Sequence, residues 1–127
     1  MEDAFIEKYQ ARIKRETQLA ANGQCIVWTG CTTKGRGECI YGKIYVKFLR
    51  GDKYKWQAFR VHRLAYILHV RAEIPDNMHC SHRCHNSLCV NVEHLTIEHA
   101  FVNSGRRSCA TAKKCFGHCE APSCLFF

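Results

Sequence analysis

The chain has 127 residues and is basic, with 19 Lys and Arg against 11 Asp and Glu and a formal net charge of +8. That length fits one domain, and 46% hydrophobic residues exclude a largely disordered chain. No stretch reaches the length of a membrane span. The positive charge favours a polyanionic partner, with nucleic acid first and an anionic membrane surface second.

The first 23 residues are predicted to be an amphipathic helical segment. Phe5, Tyr9 and Ile13 are spaced for one face of a helix over residues 3–21, and Asn22-Gly23 would end it. We expect this helix to pack on a domain formed by residues 24–127. The alternative is that the basic face of the helix contacts the DNA backbone or forms a dimer interface.

Residues 24–60 have a strand-like pattern. Apolar or alternating runs at 25–30, 40–48 and 54–61, with a turn at Gly51-Asp52, predict an antiparallel β-ribbon. One face would lie on the core and the other would bind DNA. The candidate DNA-binding residues alternate with aromatic residues and are Lys43, Lys47, Lys53, Lys55 and Arg60.

The run at 61–70 returns to helical spacing and predicts a core helix. We expect His62 and Arg63 to face outward at its start and His69 to be a structural histidine. Pro75 separates this helix from the segment rich in cysteine and histidine.

Cysteine and histidine are concentrated between residues 79 and 124, which contain seven of the ten cysteines. Residues 1–16 carry acids and bases throughout and have no apolar stretch typical of a signal peptide. We therefore expect an intracellular, reducing location, where such clusters hold zinc rather than form disulfides.

The spacing of these ligands predicts two structural zinc sites. Cys84, Cys89 and His94 are separated by intervals of five residues and need a fourth ligand, for which Cys25 and Cys31 are the candidates. The second group offers five candidates for four positions, namely Cys109, Cys115, His118, Cys119 and Cys124.

Some residues of this stretch, among them His82 and Asn103, are not needed to bind zinc. Together with the zinc ligands and several earlier residues, they form a series of motifs whose order along the chain is informative. The motifs are Cys25-x-x-Trp28-x-Gly30, Tyr41-Gly42, Val61-His62-Arg63-Leu64, Ser81-His82-x-Cys84-His85-Asn86, Cys89-Val90-Asn91-x-x-His94-Leu95 and Asn103. In this order they resemble the His-Cys box homing endonucleases, a branch of the ββα-metal nucleases that includes the wider HNH group. The resemblance extends from Cys25 to Cys124. It implies an α+β, zinc-stabilised ββα-metal fold.

The resemblance also implies a reaction, the hydrolysis of phosphodiester bonds in double-stranded DNA. His82 would be the general base, because an imidazole can remove a proton from water at neutral pH. Asn103, on a helix starting near Glu98, would present its amide oxygen to one catalytic Mg²⁺ or Mn²⁺. A cation contacting the scissile phosphate would be Lys55, with Arg60 and Arg63 as rivals.

For the zinc sites, the resemblance favours Cys25 in the first and the set Cys109, Cys115, His118 and Cys124 in the second. Cys119 stays the alternative to His118. A homodimer would form through the N-terminal helix, and in a eukaryotic host the protein would act in the nucleus.

Other roles for the two proposed active-site residues stay open. His82 could be a further zinc ligand or could cap the loop, and Asn103 could cap the end of a helix before Ser104-Gly105. The alternative function is a catalytically inactive, zinc-containing DNA-binding module, since the DNA-binding domains of Smad signalling proteins resemble this fold. Retention of both His82 and Asn103 favours the nuclease.

Overall fold

The computed structural model describes residues 2–37 and 39–126 and has a mixed α+β architecture. In chain order the elements are α1 (Asp3–Arg15), β1 (Thr17–Leu19), β2 (Ile26–Trp28), β3 (Thr32–Lys34), β4 (Ile40–Arg50), β5 (Lys53–Arg60), α2 (Val61–Val70), β6 (Met78–His82), β7 (Leu95–His99) and α3 (Ala100–Ala112). All strands pair antiparallel, as β1-β2, β3-β4-β5 and β6-β7. The predicted fold class is confirmed.

The main hydrophobic core lies between α1, α2 and the long β4-β5 ribbon. The buried residues of these elements are Ile6, Tyr9, Ile13, Ile44, Val46, Val61, Leu64 and Leu68, and Trp28 of β2 packs with them. Burial of this apolar surface is the chief stabilising contribution in a small domain. The apolar side of α1 is therefore covered by residues 24–127 of the same chain.

The predicted helix over residues 3–21 is wrong beyond Arg15. Residues 17–19 instead form β1, which pairs with β2 across a hairpin. At its turn the Asn22 side chain accepts hydrogen bonds from the backbone N–H of Gln24 and of Cys25, each at 2.9 Å. Gly23 takes the positive φ of 71° that this turn requires. Asn22-Gly23 thus lies in the hairpin turn between β1 and β2 instead of ending a helix, and this turn places Cys25.

The second half of the chain forms a ββα unit from β6, β7 and α3. A smaller core holds it to α2, with Ile74, Cys80 and Leu95 buried at its centre. An ion pair inside the unit joins β7 to α3, because Arg106 binds both carboxylate oxygens of Glu98 at 2.7 and 2.8 Å. Both residues are nearly inaccessible to solvent.

Helix α3 begins at Ala100, two residues later than predicted, because Glu98 and His99 belong to β7. It continues through Ser104-Gly105 to Ala112 and ends at Lys113 in a left-handed conformation. Asn103 therefore lies in the first turn of α3, and its role as a C-terminal cap is excluded. Among the described residues, no helix has the length and apolar character to cross a membrane.

Candidate active site and metal centres

The first cluster of metal-binding side chains joins the turn before β2, the loop after β6 and the turn before β7. It consists of Cys25, Cys84, Cys89 and His94. Nδ1 of His94 lies 3.6 Å from Sγ of Cys25 and 3.5 Å from Sγ of Cys89. Tetrahedral zinc with ordinary Zn–S and Zn–N bonds places S and N about 3.6 Å apart, so the geometry fits zinc.

The surroundings of this cluster hold its ligands in place. Asn91 approaches Nε2 of His94 at 3.4 Å, and the Asn22 amide donates to Sγ of Cys25 at 3.4 Å. Such contacts orient zinc ligands. The thiols of Cys84 and Cys89 share a hydrogen bond that raises the pKa of Cys84 and lowers the pKa of Cys89 to about 5.

The second cluster closes the C-terminal segment onto α3. It consists of Cys109, Cys115, His118 and Cys124, and the four ligand atoms lie within 4.8 Å of one another. Nε2 of His118 is 3.6 Å from Sγ of Cys109 and 3.3 Å from Sγ of Cys124. Two backbone N–H groups donate to these thiols, from Phe116 to Cys109 and from Cys124 to Cys115.

The two cysteines that sequence spacing left as alternatives are in neither cluster. Cys31 and Cys119 are both exposed, whereas Cys25 is buried and lies beside His94. His82 is likewise outside both clusters. The structure therefore brings together two Cys₃His sets, each with the ligand number and chemistry of a closed structural zinc site.

His82 ends β6 and is held by the first cluster. Its Nε2 lies 3.0 Å from the backbone oxygen of Cys89. A carbonyl oxygen only accepts hydrogen bonds, so Nε2 must carry the proton, and in the neutral ring Nδ1 keeps its lone pair. Burial lowers the pKa of His82 to about 4, against the backbone hydrogen bond that raises it. At neutral pH this side chain is an uncharged base.

A stack of rings surrounds His82 and corrects the expectation that His62 faces outward. His62 is buried on the inner side of α2, and its ring centroid lies 4.4 Å from that of His82. Tyr41 stacks on His62 at 5.5 Å and approaches His82 at 6.4 Å. Burial, followed by repulsion from His82 when that ring is protonated, holds the pKa of His62 well below its ordinary value.

The inward orientation of His62 is accompanied by a hydrogen bond to β6, which the helical spacing of residues 61–70 could not reveal. Its Nε2 lies 3.1 Å from the backbone oxygen of Cys80, which connects α2 to β6. Both histidines therefore donate through Nε2 to a carbonyl. The presence of His62 in the Val61-His62-Arg63-Leu64 motif was the available signal for a role in the site.

Asn103 meets a different histidine, one to which sequence reasoning gave no role. Its Nδ2 lies 3.0 Å from Nδ1 of His79 on β6. Asn103 is half-buried and His79 is exposed. The alternation of β6 puts His79 and His82 on opposite faces of the strand, with α3 packed against the hairpin.

The β4-β5 ribbon has two chemically different faces, because residues opposite each other in antiparallel strands share a face. One face carries the pairs Lys43–Arg60, Tyr45–Ala58, Lys47–Trp56 and Leu49–Tyr54. The other carries Ile44–Phe59, Val46–Gln57, Phe48–Lys55 and Arg50–Lys53, and it covers the core. Of the five predicted DNA-binding residues, only Lys43, Lys47 and Arg60 are on the outer face.

Cations on the outer face lie against aromatic rings. Nζ of Lys47 is 4.8 Å from the ring of Tyr54 and 5.9 Å from that of Trp56. The guanidinium of Arg60 is 4.1 Å from the ring of Tyr41, which itself stacks toward His82. The outer face of the ribbon is thus continuous with the rings around His82.

The three candidate cations for the scissile phosphate occupy different places. Only the ring of Tyr41 lies between Arg60 and His82. Lys55 is five residues before Arg60 on β5, which places the two residues about 17 Å apart and on opposite faces of the strand. Arg63 is half-buried on α2, and its charge helps to lower the pKa of His62. The geometry favours Arg60 and removes Lys55 from the vicinity of His82.

A cavity of about 660 Å³ lies on the inner side of the ribbon, between α1 and α2. Its wall includes Phe48, Phe59, Arg63 and Ile74, and it includes neither His82 nor Asn103.

Comparison with known proteins identifies one family. A model described as the zinc-binding loop region of homing endonuclease matches residues 24–125. No curated protein and no solved structure matches the chain.

Proposed function

The chain belongs to the homing endonuclease zinc-binding loop family, and from this premise we propose that it is a divalent-metal-dependent DNA endonuclease with two structural zinc ions. The observation that carries the proposal is His82, a neutral base fixed by the carbonyl of a cluster cysteine and bordered by a basic, aromatic surface. An imidazole so fixed can accept the proton of a water that attacks a phosphodiester.

In this proposal each zinc cluster supports the catalytic hairpin. The first fixes His82 through the backbone of Cys89. The second is tied to the same loop, because Arg83 accepts a hydrogen bond from Leu125 and donates one to Ser123, both at 2.8 Å. Zinc is redox-inert and suits a purely structural role.

Asn103 fits a role as ligand to the catalytic Mg²⁺ or Mn²⁺. Its side chain is half-buried on the first turn of α3, and its amide nitrogen is engaged, so its oxygen is the atom left for a hard cation. The bound cation would relieve negative charge on the leaving oxygen. Arg60 would neutralise the scissile phosphate from the ribbon side.

Double-stranded DNA is the proposed substrate, with the outer ribbon face as its binding surface. Lys43, Lys47 and Arg60 supply charge to phosphates, and exposed Tyr54 and Trp56 supply flat apolar surface. A homodimer through α1 would have to use the polar side of that helix, since its apolar side is buried in the core. An intracellular location, in the nucleus of a eukaryotic host, completes the proposal.

The test is nicking of a supercoiled plasmid by the zinc-loaded protein, with and without added Mg²⁺. Omission of Mg²⁺ is preferable to EDTA, because EDTA would also remove zinc. His82→Ala should lower the cleavage rate about 10²–10⁴-fold and leave DNA affinity unchanged. The matched control is His69→Ala, which removes an exposed histidine of α2. DNA binding without Mg²⁺-dependent cleavage by the unaltered protein would refute the nuclease and favour the DNA-binding module.

A further inference from the structure

The pairing of His79 with Asn103 has a chemical consequence for the amide. A carboxamide ends in an acceptor oxygen and a donor nitrogen, and rotation by a half-turn exchanges them. Only the oxygen binds a hard cation. The side chain therefore needs a neighbour that distinguishes its two ends.

His79 is such a neighbour. Its Nδ1 lies 3.0 Å from Nδ2 of Asn103, which is an ordinary hydrogen-bond distance. An imidazole nitrogen that accepts this bond selects the amide nitrogen and turns Oδ1 away from itself. The contact joins β6 to α3, so it also fixes the amide relative to the hairpin that carries His82.

We propose that His79 is a positioning residue that orients the Asn103 amide, so that Oδ1 faces the catalytic cation. The inference rests on the proposed function for the identity of the cation, and on the observed contact for the orientation. It assigns a role to a side chain that neither zinc cluster uses.

Two substitutions separate this role from a general structural one. His79→Leu removes the acceptor, whereas His79→Asn keeps an oxygen two bonds from Cβ, where Nδ1 stood. Since His79 is exposed, neither change should alter the melting temperature or the zinc content. The melting temperature and the zinc content of each variant are measured before the binding experiment.

The readout is binding of Mn²⁺ to the zinc-loaded protein, followed by electron paramagnetic resonance in the absence of DNA. We expect His79→Leu to weaken Mn²⁺ binding about 10–100-fold, the usual effect of losing a residue that orients a metal ligand. His79→Asn should stay near the unaltered affinity. In an Asn103→Ala background, His79→Leu should have no further effect, because both act through one amide.

Three results would overturn the proposal. Equal Mn²⁺ affinity in His79→Leu and the unaltered protein would show that the amide needs no orientation. Equal weakening in His79→Leu and His79→Asn would point to something other than the acceptor. Direct hyperfine coupling between Mn²⁺ and an imidazole nitrogen, lost in His79→Leu, would make His79 a ligand instead. Absence of any Mn²⁺ site in the unaltered protein would instead count against the proposed function. The orientation of the amide would then be tested by nuclear magnetic resonance. A shift of the Asn103 amide-proton signals in His79→Leu but not in His79→Asn would support it.

Discussion

Replacement of Glu98 by Gln should destabilise the protein more than any change of a surface charge. Arg106 is only 2% exposed, and two of its hydrogen bonds go to the carboxylate of Glu98. Its remaining partners are the Pro122 carbonyl at 2.8 Å and Sγ of Cys124 at 3.3 Å. Glu98→Gln keeps one acceptor but leaves the buried guanidinium without its carboxylate.

The expected cost is about 3–5 kcal/mol, the usual result of removing one partner from a buried ion pair. Against a total stability of about 5–15 kcal/mol, that is a large fraction. At roughly 3 °C per kcal/mol, the melting temperature should fall by about 9 °C or more. Urea unfolding in zinc-containing buffer, followed by circular dichroism, measures the free energy difference directly.

The matched control is Glu16→Gln, which breaks the exposed ion pair between Arg12 and Glu16, whose side chains are 38% and 39% exposed. This change should cost at most about 1 kcal/mol. A loss in Glu98→Gln no larger than in the control would refute the reasoning that burial makes the Glu98–Arg106 pair costly to break.

The same pair predicts a pH dependence. Burial by itself raises the pKa of Glu98, but the hydrogen bond and charge of Arg106 outweigh it and hold the pKa below its ordinary value. A carboxyl with a depressed folded-state pKa contributes its stability above its unfolded-state pKa, and loses it as the pH falls through the folded value. The stability difference between the unaltered protein and Glu98→Gln should therefore shrink on acidification.

Three further results are expected. Elemental analysis should find two zinc ions per chain in the unaltered protein and one in Cys115→Ser. The control Cys119→Ser, which changes an exposed cysteine, should keep both ions. Equal zinc content in the two variants would contradict the second site. The slope of log affinity for DNA against log salt should fall by about one in Lys47→Ala and less in Lys55→Ala, on the opposite face, and the reverse order would refute the outer-face assignment. Leu64→Ala should cost about 2–5 kcal/mol in urea unfolding, since Leu64 is 2% exposed in the main core.

Local patterns were sufficient to predict several features of this protein. Helix α2 spans the predicted residues 61–70, and the ribbon turns at the predicted Gly51-Asp52. Both features arise from hydrophobic spacing and turn chemistry, which act over a few residues. The presence of two metal clusters was also predictable, because dense Cys and His at loop-closing intervals have few uses besides metal binding. Spacing alone left open the choice between Cys25 and Cys31 and the choice among the five C-terminal candidates.

Long-range contacts decided what local patterns could not. Residues 17–19 have no strong preference against a helix, and they became a strand only because β2 lies beside them. His62 looked like an outward residue at a helix start until Cys80 and His82 proved to lie against it. Pairing partners far apart in sequence set both outcomes.

The chain's ligand content was determined by sequence alone, since residue type fixes which atoms can bind zinc. The orientation of the candidate active site was decided by tertiary structure. A carbonyl seven residues away fixes the proton-bearing nitrogen of His82, and α3 brings Asn103 to His79, 24 positions earlier in the chain. Strand register put Arg60, rather than Lys55, next to the rings around His82. Tautomer, amide direction and strand face are all set by neighbours, and those neighbours meet only when the chain is folded.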